Sequence, residues 1–126
     1  MGAPTIASQG LKPMATPHLF QPLTQRSVTA KNRIVLAPMC QYSADDGVVG
    51  DWHVQHLGAR AAGGAGIVMM EATAVQDVGR ITPFCPGAWD QKHFDGLARM
   101  ARVITQCGGV PAIQIAHAGR KASCDR

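Results

Sequence analysis

Three short runs of apolar and β-branched residues stand out along the chain, at residues 33–37, 67–70 and 112–116. Turn-forming residues bound each run, as they bound short buried strands. The first two runs are apolar at both alternating positions, which is typical of parallel strands covered on both faces of their sheet. The pattern therefore predicts three buried strands.

Two amphipathic helical patterns lie between these strands. The first begins at Asp51, which we predict to be its N-cap, and stops at residues 63–64, both glycine. The second begins at Asp90 and stops at residues 108–109, again both glycine, and we expect these glycines to be left-handed helix stops. The apolar stripe of the second helix follows helical spacing and consists of Phe94, Leu97, Ala101 and Ile104.

The alternating order β-α-β-α-β predicts parallel strands joined by right-handed crossovers, in an open doubly wound sheet or in the first part of a (β/α)₈ barrel. A dinucleotide-binding sheet carries G-x-G-x-x-G directly after its first strand, whereas "PMCQYSADDG" follows here. The unusual residues come after the strands, as in a barrel, where chemistry gathers at the carboxyl ends. A whole barrel needs about 250 residues. We therefore predict an α/β fold that is the N-terminal portion of a TIM barrel, and infer a fragment.

Composition narrows the classes of function. Hydrophobic residues make up 46% and charged residues 16% of the 126 residues, which is a globular composition. The net charge of +4 has no cluster beyond Arg120 and Lys121, so we expect no nucleic-acid partner. No stretch approaches the apolar length of a membrane span. We expect residues 1–18 to be a flexible leader and residues 19–126 to form the incomplete barrel domain.

The cysteines and histidines do not form a metal-binding pattern. The four cysteines are too far apart for a zinc motif, which favours free thiols in a reducing cytoplasm. His53 and His56 share a helix face, yet no carboxylate or third histidine lies at ligand spacing, and His117 stands alone. We predict that the helix uses its histidines for packing and surface hydrogen bonds. Glu71 ends a predicted strand, where a structural ion pair or hydrogen bond is favoured over a role as general base.

Four blocks of sequence resemble the old yellow enzyme family of flavin-dependent ene-reductases, and most closely its thermophilic-like bacterial branch of NADPH dehydrogenases. They are "LFQPLTQRSVTAKNRIVLAPMCQYSADDG", "DWHVQHLGARAAGGAGIVMMEATAV", "GRITP" and "IQIAHAGRKAS", in this order over residues 19–123. The resemblance implies a barrel that binds FMN, takes hydride from NADPH or NADH, and reduces the activated C=C bond of an enone or enal. It also implies a homo-oligomer when the barrel is complete.

The resemblance also implies where the cofactor and substrate bind. The positions that match flavin contacts in the family are Ala37, Pro38, Met39, Cys40, Ala72 and Gln114. Tyr42 matches a residue that hydrogen-bonds the substrate's activating group, and the Cys40 thiol matches one that tunes the flavin. The proton donor and the phosphate-binding loop come from later strands, so no catalytic residue is expected in this segment.

Taken without the resemblance, each of these side chains has a simpler interpretation. Cys40 suits a small buried hydrophobe, Tyr42 an amphipathic rim residue, and Gln114 an internal hydrogen bond of the barrel. If the backbone stays extended, Cys40 and Tyr42 point the same way. Because Gln114 interrupts an apolar strand, we expect a buried amide that needs a bonding partner.

Two alternatives to the ene-reductase remain open. One is a non-catalytic partial barrel that acts as an assembly or interaction module. The other is a related flavin barrel, such as a dienoyl-thioester reductase. In the leading interpretation the segment is active only with the C-terminal remainder of the barrel, and we expect the isolated 126 residues to bind FMN weakly and to be inactive.

Overall fold

The computed structural model describes residues 15–122 of the chain. Most of the predicted leader, residues 1–18, lies outside the described residues. The regular elements, in chain order, are β1 (Leu23–Gln25), β2 (Val28–Ala30), β3 (Val35–Leu36), α1 (Asp51–Ala62), β4 (Ile67–Ala74), α2 (Gln91–Gln106) and β5 (Val110–Ala116).

A three-stranded parallel sheet in the order β3-β4-β5 organises the fold. The three predicted strands are present, joined by the two predicted helices, although their bounds differ. The strand predicted at 33–37 keeps only two residues in the ladder, whereas β4 continues past the predicted end at residue 70 to Ala74. Backbone bonds from Gly66 and Ile67 to the Ile34 carbonyl, at 2.9 and 3.1 Å, join β3 to β4 where both begin.

The two helices begin in different ways. Asp90 caps α2 as predicted, since its carboxylate accepts a hydrogen bond from the backbone N–H of Lys92. The prediction that Asp51 caps α1 is wrong: Gly50 is the N-cap and Asp51 is the first helical residue. The Asp51 carboxylate binds Arg99 of α2 at 2.8 Å instead, so it joins the two helices.

The glycines after the helices act as predicted at two of four positions. Gly64 and Gly108 have φ angles of +105° and +72°, in the left-handed region that favours glycine. Gly63 stays right-handed at φ −68°. One left-handed residue therefore follows each helix before the next strand begins.

Both helices pack against one face of the sheet. The buried cluster there consists of Val49, Leu57, Ala61, Ala65, Val68, Met70, Met100 and Ile104. Of the predicted stripe of α2, Ile104 is in this cluster and Leu97 packs against it, whereas Phe94 is exposed. Among the described residues the outer edge of this layer is uncovered, so Ile115 of β5 is 69% exposed.

Within residues 15–122, the opposite face of the sheet is covered only at one end. Strands β1 and β2 form an antiparallel hairpin that the sequence patterns do not predict. Its residues line a partly open cavity of about 520 Å³ together with the beginnings of β4 and β5, which contribute Ile67, Met69, Val110 and Ala112. The expectation of a sheet covered on both faces therefore holds only at the amino ends of the strands, and the face stays open toward their carboxyl ends.

Candidate functional site

Most of the predicted site residues lie along the carboxyl edge of the parallel sheet. The segment from Ala37 to Tyr42 follows β3 directly, and the ends of β4 and β5 are tied by a 3.1 Å bond from the Val75 N–H to the Ala116 carbonyl. In this segment Pro38 and Cys40 are half-buried, while Met39 and Tyr42 are 44% and 40% exposed. Because parallel strands end at the same edge, chain-distant side chains meet there.

A β-bulge brings Ala72 and Gln114 side by side. Met70 pairs with Ile113 and Ala72 pairs with Gln114, so Glu71 is an extra residue in β4. The burial of β4 changes phase at this point: Val68 and Met70 are buried before the bulge, and Thr73 after it. The bulge therefore turns Ala72 to the same open face as Met69.

The prediction that Gln114 is buried is wrong. Its side chain is exposed on the open face, and among residues 15–122 its amide makes no hydrogen bond. Its neighbours on that face, Ala112 and Ala116, are small and leave space beside it. An amide that can donate and accept stands next to a flat, small-residue surface.

The expectation of an extended backbone through Tyr42 is also wrong. Tyr42 has a φ angle of +50°, in the left-handed region, which costs a non-glycine residue about 1–3 kcal/mol. The Tyr42 phenol and the Cys40 thiol nevertheless lie near enough for each group to affect the pKa of the other. A tight turn, and not strand alternation, therefore makes the thiol and the phenol neighbours.

Both groups keep their protons at neutral pH. Burial, followed by the negative charge of Glu71, raises the pKa of the Cys40 thiol above its ordinary value. The adjacent Cys40, more than burial, raises the pKa of the Tyr42 phenol. A neutral thiol is a poor nucleophile, so this pair is suited to hydrogen bonding and polarizable contact.

Glu71 points away from the open face and makes structural contacts. Its side chain is only 3% exposed; Oε2 accepts the backbone N–H of Gln41 at 2.7 Å, and Oε1 lies 3.4 Å from Nε2 of His53. The His53 Nδ1 accepts the backbone N–H of Gly50 at 3.2 Å, which leaves the ring proton on Nε2, toward the carboxylate. The structural role predicted for Glu71 is confirmed by these contacts.

The histidines of α1 pack in the interior, as predicted, but the predicted surface position of their hydrogen bonds is wrong. His53 and His56 are both buried, and the His56 ring is stacked with Trp52, with 6.5 Å between the ring centroids. Burial, followed by the charge of Arg60, lowers the pKa of His56. His117 is exposed and accepts the Gly119 N–H. Within the described part of the chain, no three His, Cys, Asp or Glu side chains lie together as metal ligands.

Sequence reasoning missed Gln41 and Trp52. Gln41 lies between Cys40 and Tyr42, and its side chain bonds the Met39 carbonyl and the indole N–H of Trp52, at 2.8 and 3.0 Å. An amide flanked by two chemically unusual residues was the available sequence signal. A loop glutamine with several partners indicates that the turn is held in one shape.

A family model and curated relatives match most of this chain in sequence. The model of the NADH:flavin oxidoreductase / NADH oxidase family matches residues 18–126. An NADPH dehydrogenase from Geobacillus sp. (strain WCH70) is 49% identical over 109 residues, which are 85% of this chain and 32% of that protein. The chain thus spans about a third of the length of such curated relatives.

Solved structures resemble the fold closely. The old yellow enzyme from Trypanosoma cruzi matches with a TM-score of 0.77 and 28% identity, over 84% of this chain and 28% of that one. A 2-naphthoyl-CoA reductase in complex with 2-naphthoyl-CoA matches with a TM-score of 0.80 and 29% identity, over 83% of this chain and 16% of that one. These neighbours are TIM barrels, which confirms the predicted fold class. No helix within residues 15–122 has the length and apolarity needed to cross a bilayer.

Proposed function

Because the chain belongs to the NADH:flavin oxidoreductase / NADH oxidase family, we propose that it forms one wall of the FMN site of an ene-reductase. The enzyme would take hydride from NADPH or NADH and reduce the activated C=C bond of α,β-unsaturated aldehydes and ketones. The old yellow enzyme resemblance and the predicted cofactors, FMN with NAD(P)H, agree with the family and with the NADPH dehydrogenases among the relatives. We place the protein in the reducing cytoplasm because Cys40, Cys85 and Cys107 are free thiols.

The pairing of Ala72 with Gln114 on the open face carries this proposal. A flat ring system needs a small side chain to lie against and a polar group at its edge. Ala72 offers the first, and the Gln114 amide, which can donate and accept, offers the second. That amide has no protein partner among the described residues, so a ligand is the natural acceptor and donor for it.

The segment after β3 would form the adjoining edge of the same site. Pro38 has no N–H and a fixed φ, so it ends the ladder and fixes the course of Ala37 and Met39. The half-exposed Met39 side chain would lie against the ring, and the neutral Cys40 thiol would meet its polar edge. Bound FMN would supply the hydride transfer, while these residues bind it, orient it and exclude water.

Tyr42 would donate a hydrogen bond to the carbonyl oxygen of the substrate. Its phenol is exposed and protonated, and it lies beside Cys40 at the mouth of the site. We assign no catalytic residue to this chain. The proton donor and the phosphate-binding loop would come from the C-terminal remainder of the barrel.

Substitution of Gln114 by Leu in the full encoded protein tests the proposal. Loss of two neutral hydrogen bonds to FMN costs roughly 1–3 kcal/mol, or roughly 5- to 150-fold in Kd. The Kd is measured from the quenching of FMN fluorescence, and Gln55→Leu, at an exposed position on α1, is the matched control. Unchanged affinity in Gln114→Leu would contradict the proposed cofactor site. Enone-dependent oxidation of NADPH by the wild type tests the reaction class.

We further propose that the 126 residues expressed alone bind FMN weakly and do not turn over. Between α2 and β5 lies an apolar groove of about 430 Å³, lined in part by Phe94 and Ile113, both of them exposed. The remainder of the barrel would cover this groove and supply the facing wall of the site. A yellow chromophore that copurifies with the isolated chain would refute this expectation.

A thioester reductase is the second candidate, because the 2-naphthoyl-CoA reductase has the same fold in this region. The open face described above suits either substrate class. Parallel assays with an enone and with an unsaturated acyl thioester decide between them. Reduction of the thioester alone would replace the leading proposal.

A further inference from the structure

The turn that carries Cys40 and Tyr42 needs an anchor. Tyr42 is one of three non-glycine residues with positive φ among residues 15–122, and it is the one that lies in the candidate site. Such a conformation persists only where surrounding contacts hold it. Tyr42 itself is exposed, so its own packing does not supply that hold.

Gln41, the residue between them, is bonded through its backbone and its side chain. Its backbone N–H donates to Glu71 Oε2 at 2.7 Å and its carbonyl accepts from Ser43 Oγ at 2.9 Å. Its side-chain amide donates to the Met39 carbonyl at 2.8 Å and accepts from the indole N–H of Trp52 at 3.0 Å. Four bonds at one residue fix the path of the backbone on both sides of it.

Glu71 is the buried acceptor of the hydrogen bond from the Gln41 backbone. The bulge in β4 removes it from the strand alternation and turns its carboxylate toward Gln41 and His53, away from the open face. Burial of a carboxylate costs desolvation free energy, and hydrogen bonds and a nearby polar group are needed to offset that cost. Here the Gln41 N–H bonds the carboxylate, and Nε2 of the fully buried His53 lies 3.4 Å from its other oxygen.

We propose that Glu71 and Gln41 are positioning residues: through the bond from the Gln41 N–H to the Glu71 carboxylate, they lock the turn that presents the Cys40 thiol and the Tyr42 phenol together. Trp52 supports the lock from α1, and His53 holds the carboxylate from behind. The role rests on the proposed function, since the presented groups are those that would meet flavin and substrate. In this proposal the bulge at Glu71 both places Ala72 on the open face and directs the Glu71 carboxylate to the turn.

The test compares Glu71→Ala with Glu71→Gln in the full encoded protein. In Glu71→Gln the side chain retains one oxygen that can accept the Gln41 N–H, but it loses the charge and turns an NH2 donor toward His53. We expect Glu71→Ala to speed hydrogen exchange of the Gln41 amide by roughly tenfold or more, and Glu71→Gln to restore much of the protection. Trp52→Phe keeps an aromatic side chain and removes the indole N–H that Gln41 accepts, and we expect a smaller acceleration. If Glu71→Ala does not fold, Glu71→Gln is compared with the wild type instead, and exchange slower than in the wild type would contradict the proposal.

A second readout separates positioning from general stability. The rate of Cys40 alkylation is measured as a function of pH in the peptide that contains it. We expect the pH midpoint of this rate to be lower in both Glu71 variants, because the nearby negative charge is gone. Asp51→Asn, which loses an exposed carboxylate bound to Arg99, should change neither readout. Wild-type-like exchange and alkylation in Glu71→Ala would overturn the proposal.

The FMN-loaded protein completes the test. Glu71→Ala should raise KM for an enone more than it lowers kcat, and Glu71→Gln should return KM toward the wild-type value. An unaltered KM in Glu71→Ala, with a loosened Gln41 amide, would refute the link between the turn and the substrate. If the wild type binds no FMN, the proposed function fails, while exchange and alkylation still decide whether Glu71 anchors the turn.

Discussion

Substitution of Gly66 by Ala should destabilise the protein strongly, because no space exists for a side chain there. A Cβ at this position would lie 2.4 Å from the carbonyl oxygen of Asn32 and 2.5 Å from its Oδ1. Asn32 is buried, and its side chain donates to the Gly64 carbonyl at 2.8 Å and accepts the Ile34 N–H at 3.1 Å. Asn32 is therefore held by hydrogen bonds on both sides and cannot move away from the added Cβ without breaking them.

The loss of unfolding free energy follows from the contacts of Asn32 that an added side chain would break. Displacing Asn32 would break two side-chain hydrogen bonds, each worth about 0.5–1.5 kcal/mol, and overpacking adds about 1–3 kcal/mol. Gly66 cannot move instead, since its N–H bonds the Ile34 carbonyl and its carbonyl accepts the Val110 N–H, both at 2.9 Å. We expect a total loss of roughly 2–6 kcal/mol of unfolding free energy.

Urea unfolding followed by circular dichroism measures this loss. With a slope of about 2 kcal/mol per molar urea, the midpoint should fall by roughly 1–3 M. Gly50→Ala is the matched control, because a Cβ at Gly50 meets nothing within 4 Å and its φ is −112°. We expect that control to cost about 1 kcal/mol or less, as an N-cap change. Equal midpoints for the two variants would refute the steric argument.

Three further predictions address stability. Asp90→Ala should lower the free energy of unfolding by about 0.5–2 kcal/mol, because α2 loses its N-cap. Asp51→Ala should lower it by at most about 1 kcal/mol, because it removes an exposed ion pair. Equal losses in chemical unfolding would contradict the assignment of Asp90 as the cap. Met70→Ala should cost about 2–5 kcal/mol by opening a cavity in the core, and a smaller loss would place Met70 outside it. The lowered pKa of His56 means that the unfolded chain binds more protons, so stability should fall as pH drops through about 6.5 and level off below the lowered value. His56→Gln should weaken this pH dependence, and an unchanged thermal-unfolding profile would exclude His56 as a source.

The order of strands and helices could be predicted because it depends on local periodicity. The cap at Asp90 and the packed positions Leu97 and Ile104 of the predicted stripe are properties of neighbouring residues, and the structure has them. The hairpin of β1 and β2 was missed because each strand has only three residues, too few for alternation to stand out. Its formation depends on packing under distant strands, as the cavity shared with Ile67 shows.

The candidate site was predicted less completely, since it depends on two local breaks in regularity. The bulge at Glu71 and the left-handed Tyr42 both leave strand alternation, which is the rule that the sequence argument applied. The exposure of Gln114 depends on what covers the open face, and that is a property of tertiary packing. The resemblance identified candidate residues, whereas the turn and the bulge explain how Cys40, Tyr42, Ala72 and Gln114 are presented.

The single extra residue in β4 has a consequence for how the strand tolerates change. Before the bulge the even-numbered positions face the helices, as Val68 and Met70 do, and after it the odd-numbered Thr73 does. A saturation scan of β4 for polar substitutions should therefore show a sensitivity pattern that reverses its phase at residue 71. Deletion of Glu71 would remove the bulge and leave Ala72 opposite Gln114 on the open face, whereas insertion of a residue elsewhere in β4 would turn every later side chain to the other face.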